Sequence, residues 1–163
     1  MENLKLKEKS SLRGRFRLIL SDPLTKEILH IGEWQENIIS NADTHGHNLF
    51  IRQLGGDDTY PLAITRARFG TTNVDPTEAD SDIDSPFAYD IEIADTVIVD
   101  ENTLRLYFFA PSVYIDDDTY YTFATYCGTQ TFSMHLLDSP FVKAGNVDTT
   151  IEYEYFINNV TGS

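Results

Sequence analysis

Residues 87–108 read FAYDIEIADTVIVDENTLRLYF, and this stretch decides the fold. Tyr89, Ile91 and Ile93 alternate with Asp90 and Glu92, and Val97 and Val99 lead to Asp100. Successive side chains of an extended strand point to opposite faces, so a period of two marks a strand with one face turned to a core. Asp100-Glu101-Asn102-Thr103 then clusters turn formers, and Leu104, Leu106 and Phe108 resume the alternation. Two alternating runs around a short polar cluster predict a β-hairpin.

Toward the N-terminus, Gly14–Leu20 and Ile28–Trp34 form a second hairpin pattern, joined by residues 21–27, whose Asp22-Pro23 initiates a turn. Ile64–Phe69 is a short run that stops at Gly70-Thr71-Thr72, and Asn73–Ser85 is a loop rich in Asp, Thr and Pro. Toward the C-terminus, Asp116-Asp117-Asp118 separates Val113–Ile115 from Tyr120–Tyr126. Thr131–Leu137 and Thr149–Ile157 follow, with Ile151, Tyr153, Tyr155 and Ile157 facing one way. One helix is expected, over His45–Leu54, with Asp43 or Thr44 as N-cap, Gly55-Gly56 as stop, and Leu49, Phe50 and Leu54 as its buried stripe. Many short strands and one short α-helix near residues 45–54 predict a mainly β domain, a Greek-key or jelly-roll-like β-sandwich.

A chain of 163 residues buries one core. Its expected organisation is a basic N-terminal arm over residues 1–13, one sandwich over 14–157 and a flexible tail over 158–163. Residues 1–70 carry ten Lys/Arg against nine Asp/Glu, and residues 71–163 carry two against seventeen, so the net charge of −14 is C-terminal. An acidic body repels phosphate, which argues against nucleic acid as a partner. No apolar run is long enough to cross a bilayer, and the first residues lack the apolar core of a secretory signal, so synthesis in a cytosol is expected. Against this acidity, Lys5, Lys7, Lys9, Arg13, Arg15 and Arg17 recur at spacings of two and four, which on a strand share one face. Such a face is solvated, docks on an acidic neighbouring subunit or, least favoured, meets nucleic acid.

Chemistry-bearing motifs are weak. Asp80, Asp82 and Asp84 have the spacing that opens a calcium loop, yet Ser85 and Ile91 stand where Gly and Glu are needed, which favours a solvated acidic loop. Asp116-Asp117-Asp118 reads as an exposed turn that discourages edge pairing. His45 and His47 lack a third metal ligand nearby, Cys127 reads as a small buried filler, and no spacing signals a nucleophile or a phosphate cradle. Neither catalytic residues nor a cofactor are expected. The aromatics Tyr107, Phe108, Phe109, Tyr120, Tyr121 and Tyr126 are expected mostly in the core, with a minority as interface anchors.

Four segments in order carry a resemblance: Trp34-Gln35-Glu36-Asn37-Ile38-Ile39; Asn48-Leu49-Phe50-Ile51-Arg52-Gln53-Leu54; Ala67-Arg68-Phe69-Gly70-Thr71-Thr72 with Pro76-Thr77; and Phe141-Val142-Lys143 leading to Thr149-Thr150-Ile151-Glu152-Tyr153-Glu154-Tyr155. Over Gly14–Ile157 this order resembles small structural proteins of tailed bacteriophages, and it departs from them at the longer link Ala42–His47. The resemblance implies a virion part: a tail, baseplate or neck adaptor, a fibre-attachment domain or a capsid decoration subunit. It implies location in the virion, other virion proteins as partners and homo-oligomers in a symmetric particle. The competing expectations are a carbohydrate- or receptor-binding module and a glycan hydrolase with acidic loops.

Overall fold

The computed structural model describes residues 8–87 and 89–161, with side chains described between Leu12 and Ile157. The elements are β1 (Glu8–Ser21), β2 (Ile28–Ile31), β3 (Gln35–Glu36), β4 (Ile38–Ile39), α1 (Gly46–Leu54), β5 (Arg66–Gly70), β6 (Ile91–Asp100), β7 (Thr103–Ala110), β8 (Asp118–Cys127), β9 (Gln130–Lys143) and β10 (Asp148–Thr161). The mainly β class with one short helix stands. The strands, however, form one antiparallel sheet in the order β2-β1-β10-β7-β6-β5-β8-β9-β4, curled into a half-barrel, where a sandwich has two separate sheets.

The curl has a local cause at β6. Its first residues pair with β5 (Arg66↔Glu92, Ala67↔Ile91), and from Ile93 onward it pairs with β7. A bulge between Ile93 and Asp95 bends the strand where it changes partner, so one strand serves both halves of the sheet. At the opposite side the chain does the same with two short strands. β3 pairs with β1 (Phe16↔Gln35) and β4 pairs with β9 (Ile38↔Met134), drawing the two far borders together. Between them, the Asn37 amide N–H donates to the Gly14 carbonyl and its side chain donates to the Tyr153 hydroxyl.

Both sequence-derived hairpins are present, β1–β2 and β6–β7. In the first, the Asp22 carboxylate accepts from the Leu24 and Thr25 N–H groups, which closes the turn. The Val113–Ile115 run is a turn and not a strand. β9 runs six residues beyond the expected Leu137 boundary, because Asp118–Tyr120 of β8 keep pairing with Phe141–Lys143. β1 begins at Glu8 and holds residues 8–13 in register with Phe156–Thr161 of β10, so most of the expected tail and the second half of the expected arm are strand. Met1–Lys7, the rest of the arm, and the last two residues lie outside the described residues.

The core fills the concave side. Phe16, Phe69, Phe108, Phe123, Tyr120, Ile151 and Tyr153 are all buried, and Phe123 lies 4.7 Å from Phe16 and 5.4 Å from Phe69, ring centre to centre. Each such ring contributes about 2 kcal/mol by leaving water. Of the six aromatics singled out above, Phe108, Tyr120 and Tyr126 are buried, Tyr107 and Tyr121 are half-buried and Phe109 is exposed. A smaller cluster of Ile83, Ala124, Tyr126 and Met134 sits apart from this core, where the 73–86 loop straps across β8 and β9.

Helix α1 starts one residue later than expected. His45, not Asp43 or Thr44, is the N-cap, and it makes no side-chain cap bond. Thr44 (φ 63°) and Gly46 (φ 47°) both take left-handed backbone to turn the chain. A Cβ on Gly46 would lie 1.9 Å from the Ser40 carbonyl oxygen, so only glycine fits there. Gly55 and Gly56 end the helix, with their N–H groups donating to Ile51 and Gln53. Of the expected buried stripe only Leu49 is buried. Phe50 and Leu54 are exposed, because the helix touches the body along one narrow line.

Candidate functional site

The basic face exists on the outer surface of β1, but its arginines are already engaged. Arg15 lies opposite Glu154 and Arg17 opposite Glu152 on β10, and Glu154 lies opposite Arg105 on β7. Arg15 donates to Glu154 at 2.7 and 2.9 Å, Arg17 to Glu152 at 2.7 Å, and Arg105 to the second oxygen of Glu154 at 2.6 Å. Arg13 pairs with Glu36. The Trp34 ring lies under both Arg15 and Arg17, at 4.3 and 4.5 Å. Burial works to raise the Glu154 carboxyl, but the Arg105 and Arg15 guanidiniums outweigh it and hold it below the usual carboxylate range.

The result is a cross-strand ladder that neutralises itself. Two buried carboxylates are each held by arginines, a geometry that costs several kcal/mol to break from one side. Its signal was present in the sequence, since Glu152-Tyr153-Glu154 repeats with the same period as Arg15-Phe16-Arg17. Of the other candidate docking residues, Lys5 and Lys7 lie outside the described residues, and Lys9 is on β1 without a described side chain.

The candidate metal ligands do not meet. Asp80 accepts from the Thr77 N–H, Asp82 accepts from the Tyr126 hydroxyl at 2.6 Å, and Asp84 is exposed. Among the described residues no three His, Cys, Asp or Glu side chains converge as a metal site. The loop is instead a strap, with Thr131 donating to the Ser81 carbonyl, Ser40 to the Asp80 carbonyl and Ile83 buried beneath it. Burial, then the bond to Asp82, pushes the Tyr126 phenol up. Asp117 likewise does more than fill a turn: it accepts from the buried Lys143 ammonium at 2.9 Å, which lowers its pKa.

His45 accepts from the Thr131 N–H through Nδ1 at 2.9 Å, tying the helix to β9, and His47 is exposed. Cys127 is buried and free, and burial pushes its thiol up to about 12, so at neutral pH it is a protonated filler.

The feature that periodicity alone did not reveal is an open cleft. From Ile93 to Asp100, β6 pairs only with β7, and its other edge has no strand beside it among the described residues. Val97, Ile98 and Val99 are exposed there, Ile98 to 79%. The cleft beneath, about 400 Å³, lies between Ile98 and Leu104 on one wall and Phe50, Leu62 and Ile64 on the other. Its floor is core: Cys127, Phe132 and Tyr155. Among the described residues, the charged ones lining it are Asp100 and Glu101.

Comparison with protein-family models, with curated proteins and with solved structures finds no match.

Proposed function

We propose that the protein is a structural subunit that works by being built into a larger protein assembly, of the virion kind that the order of its motifs resembles. The observation that carries the reading is the unpaired β6 edge standing over an apolar cleft floored by core residues. An edge of this kind offers backbone N–H and C=O groups together with apolar side chains, which is what strand addition by a partner uses. The other border of the same half of the sheet supports the reading. Among the described residues β2 has only β1 beside it, and it exposes Ile28, Leu29 and Ile31, with Leu24 in the preceding turn. A subunit with sticky borders on both sides suits a symmetric ring or lattice, in which each border meets a neighbour. In this reading the ion-pair ladder stiffens the sheet between the two borders.

The test is immunogold labelling of particles pelleted from lysates of cells that carry the gene, with the soluble fraction probed in parallel. Label at a fixed position on regular particles is expected. Label confined to soluble monomers, together with measurable turnover of a glycan substrate by the purified chain, would overturn the proposal.

A further inference from the structure

We infer that the β2 edge is a twofold interface, at which β2 pairs antiparallel with β2 of a second copy of this chain and sets Ile28 opposite Ile31 of the partner subunit. The inference rests on the assembly reading above and names the neighbour that one border meets. Three observations select this occupant.

The first is the direction of the main chain. The Gly32 N–H donates to the Leu18 carbonyl, and the Asp22 N–H donates to the Glu27 carbonyl. Antiparallel bonding alternates along a strand, so Glu27, His30 and Gly32 turn main-chain groups to β1, and Ile28 and Ile31 turn theirs outward. Among the described residues no strand meets that outward side. The second is the face. Residues three apart on a regular strand lie on opposite faces, but the bulge opposite Leu20/Ser21 adds one residue to β2. Ile28 therefore lies opposite Ser21 and Ile31 opposite Ile19, both on the outer face that carries Arg15 and Arg17. A twofold axis between Leu29 and His30 then sets each copy's Ile28 against the partner's Ile31, outward main chain to outward main chain and isoleucine to isoleucine on one face. No other antiparallel register of two such edges engages both outward residues of each copy. The side chains are available, since Ile28, Leu29 and Ile31 are each about half exposed in the single copy. The third is charge. The same register sets Lys26 beside Glu33 of the partner subunit and Glu27 against the partner's Gly32, so like charges do not meet. The Lys26 side chain touches Asp148 at 3.2 Å yet stays 69% exposed, which leaves ammonium hydrogens for a second carboxylate.

The experiment is sedimentation velocity of the full chain over a wide concentration range, with variants at the two exposed isoleucines. Wild type should form a dimer as concentration rises. Ile31→Asp and Ile28→Lys should each weaken dimerisation about tenfold, since each sets a charge against an isoleucine twice per dimer. An equimolar mixture of the two should recover it, because the mixed dimer meets Asp with Lys at one rung and Ile with Ile at the other. Hydrogen exchange of the wild type reads the same contact without a substitution: the Ile28 and Ile31 amides should slow on dimerisation, while the His30 amide, turned to β1, is slow throughout. Wild type that stays monomeric, a mixture of folded variants no better than either alone, or Ile28 and Ile31 amides that stay fast in the dimer overturns the inference, the last result assigning the contact to another border such as β6. Particle labelling reads the assembly proposal separately, so a chain found at a fixed position on particles that shows no dimer through β2 would sink this inference alone.

Discussion

The outer face of β1, β10 and β7 and the free edge of β6 are built from the same kinds of residue, yet they do opposite things. On the first, every described arginine has a carboxylate, and Glu152 and Glu154 are covered by guanidinium groups and the Trp34 ring. On the second, Asp95 and Asp100 have no cation opposite them among the described residues, and three aliphatic side chains face water. Charge satisfied within the chain stiffens the sheet; charge left at an edge is available to a partner. The difference is one of register, since rows of acid and base line up across β1 and β10 and, among the described residues, no strand stands beside the free edge of β6 from Asp95 to Asp100.

The largest effect should come from breaking the ladder. Glu154→Ala strips Arg15 of its carboxylate and leaves Arg105 with only the longer 3.5 Å contact to Glu152, and urea unfolding at pH 7 should show a loss of about 3 kcal/mol. Acid should reach the same row. Because the folded pKa of Glu154 lies below its unfolded value, its stabilisation is complete above about pH 4.5 and is lost as pH falls through the folded pKa. Asp90 adds to this with the same sign: burial opposes its charge, but Arg68 and Arg66 prevail and lower its pKa. Glu154→Gln should flatten the dependence of stability on pH below 4.5, measured by thermal unfolding across that range.

Trp34→Ala should cost less, about 1–2 kcal/mol, through two lost cation–π contacts. Smallest on the fold should be Ile98→Ser, within about 0.5 kcal/mol in the dilute chain, because the side chain is already in water. If Ile98→Ser unfolds the dilute chain as readily as Glu154→Ala, the contrast between the two regions fails.

Much of the strand content was legible, for a physical reason that can be named. Where one face of a strand is buried, the period of two is enforced, as in Ile151, Tyr153 and Tyr155. The curled geometry was not legible, since it depends on a bulge at Ile93/Asp95 and on two-residue strands at Gln35–Glu36 and Ile38–Ile39, which are too short to carry a periodic signal. The 73–85 loop looked solvated because its composition is acidic, yet Ile83 and the Tyr126–Asp82 hydrogen bond pin it down. The arginine face was readable as a face. Its partners on β10 stand 135 residues or more along the chain, so only the folded register brings Glu152 and Glu154 opposite Arg17 and Arg15.

Hydrogen exchange of the β6 amides, compared with those of β10, tests the central claim most directly. In dilute solution the outward-facing amides of Asp95–Ile98 should exchange fast and those of Ile151–Tyr155 slowly, and on assembly only the β6 set should gain protection. Slow exchange of β6 in the dilute monomer, or no change there on assembly, would contradict the claim that this edge awaits a partner strand.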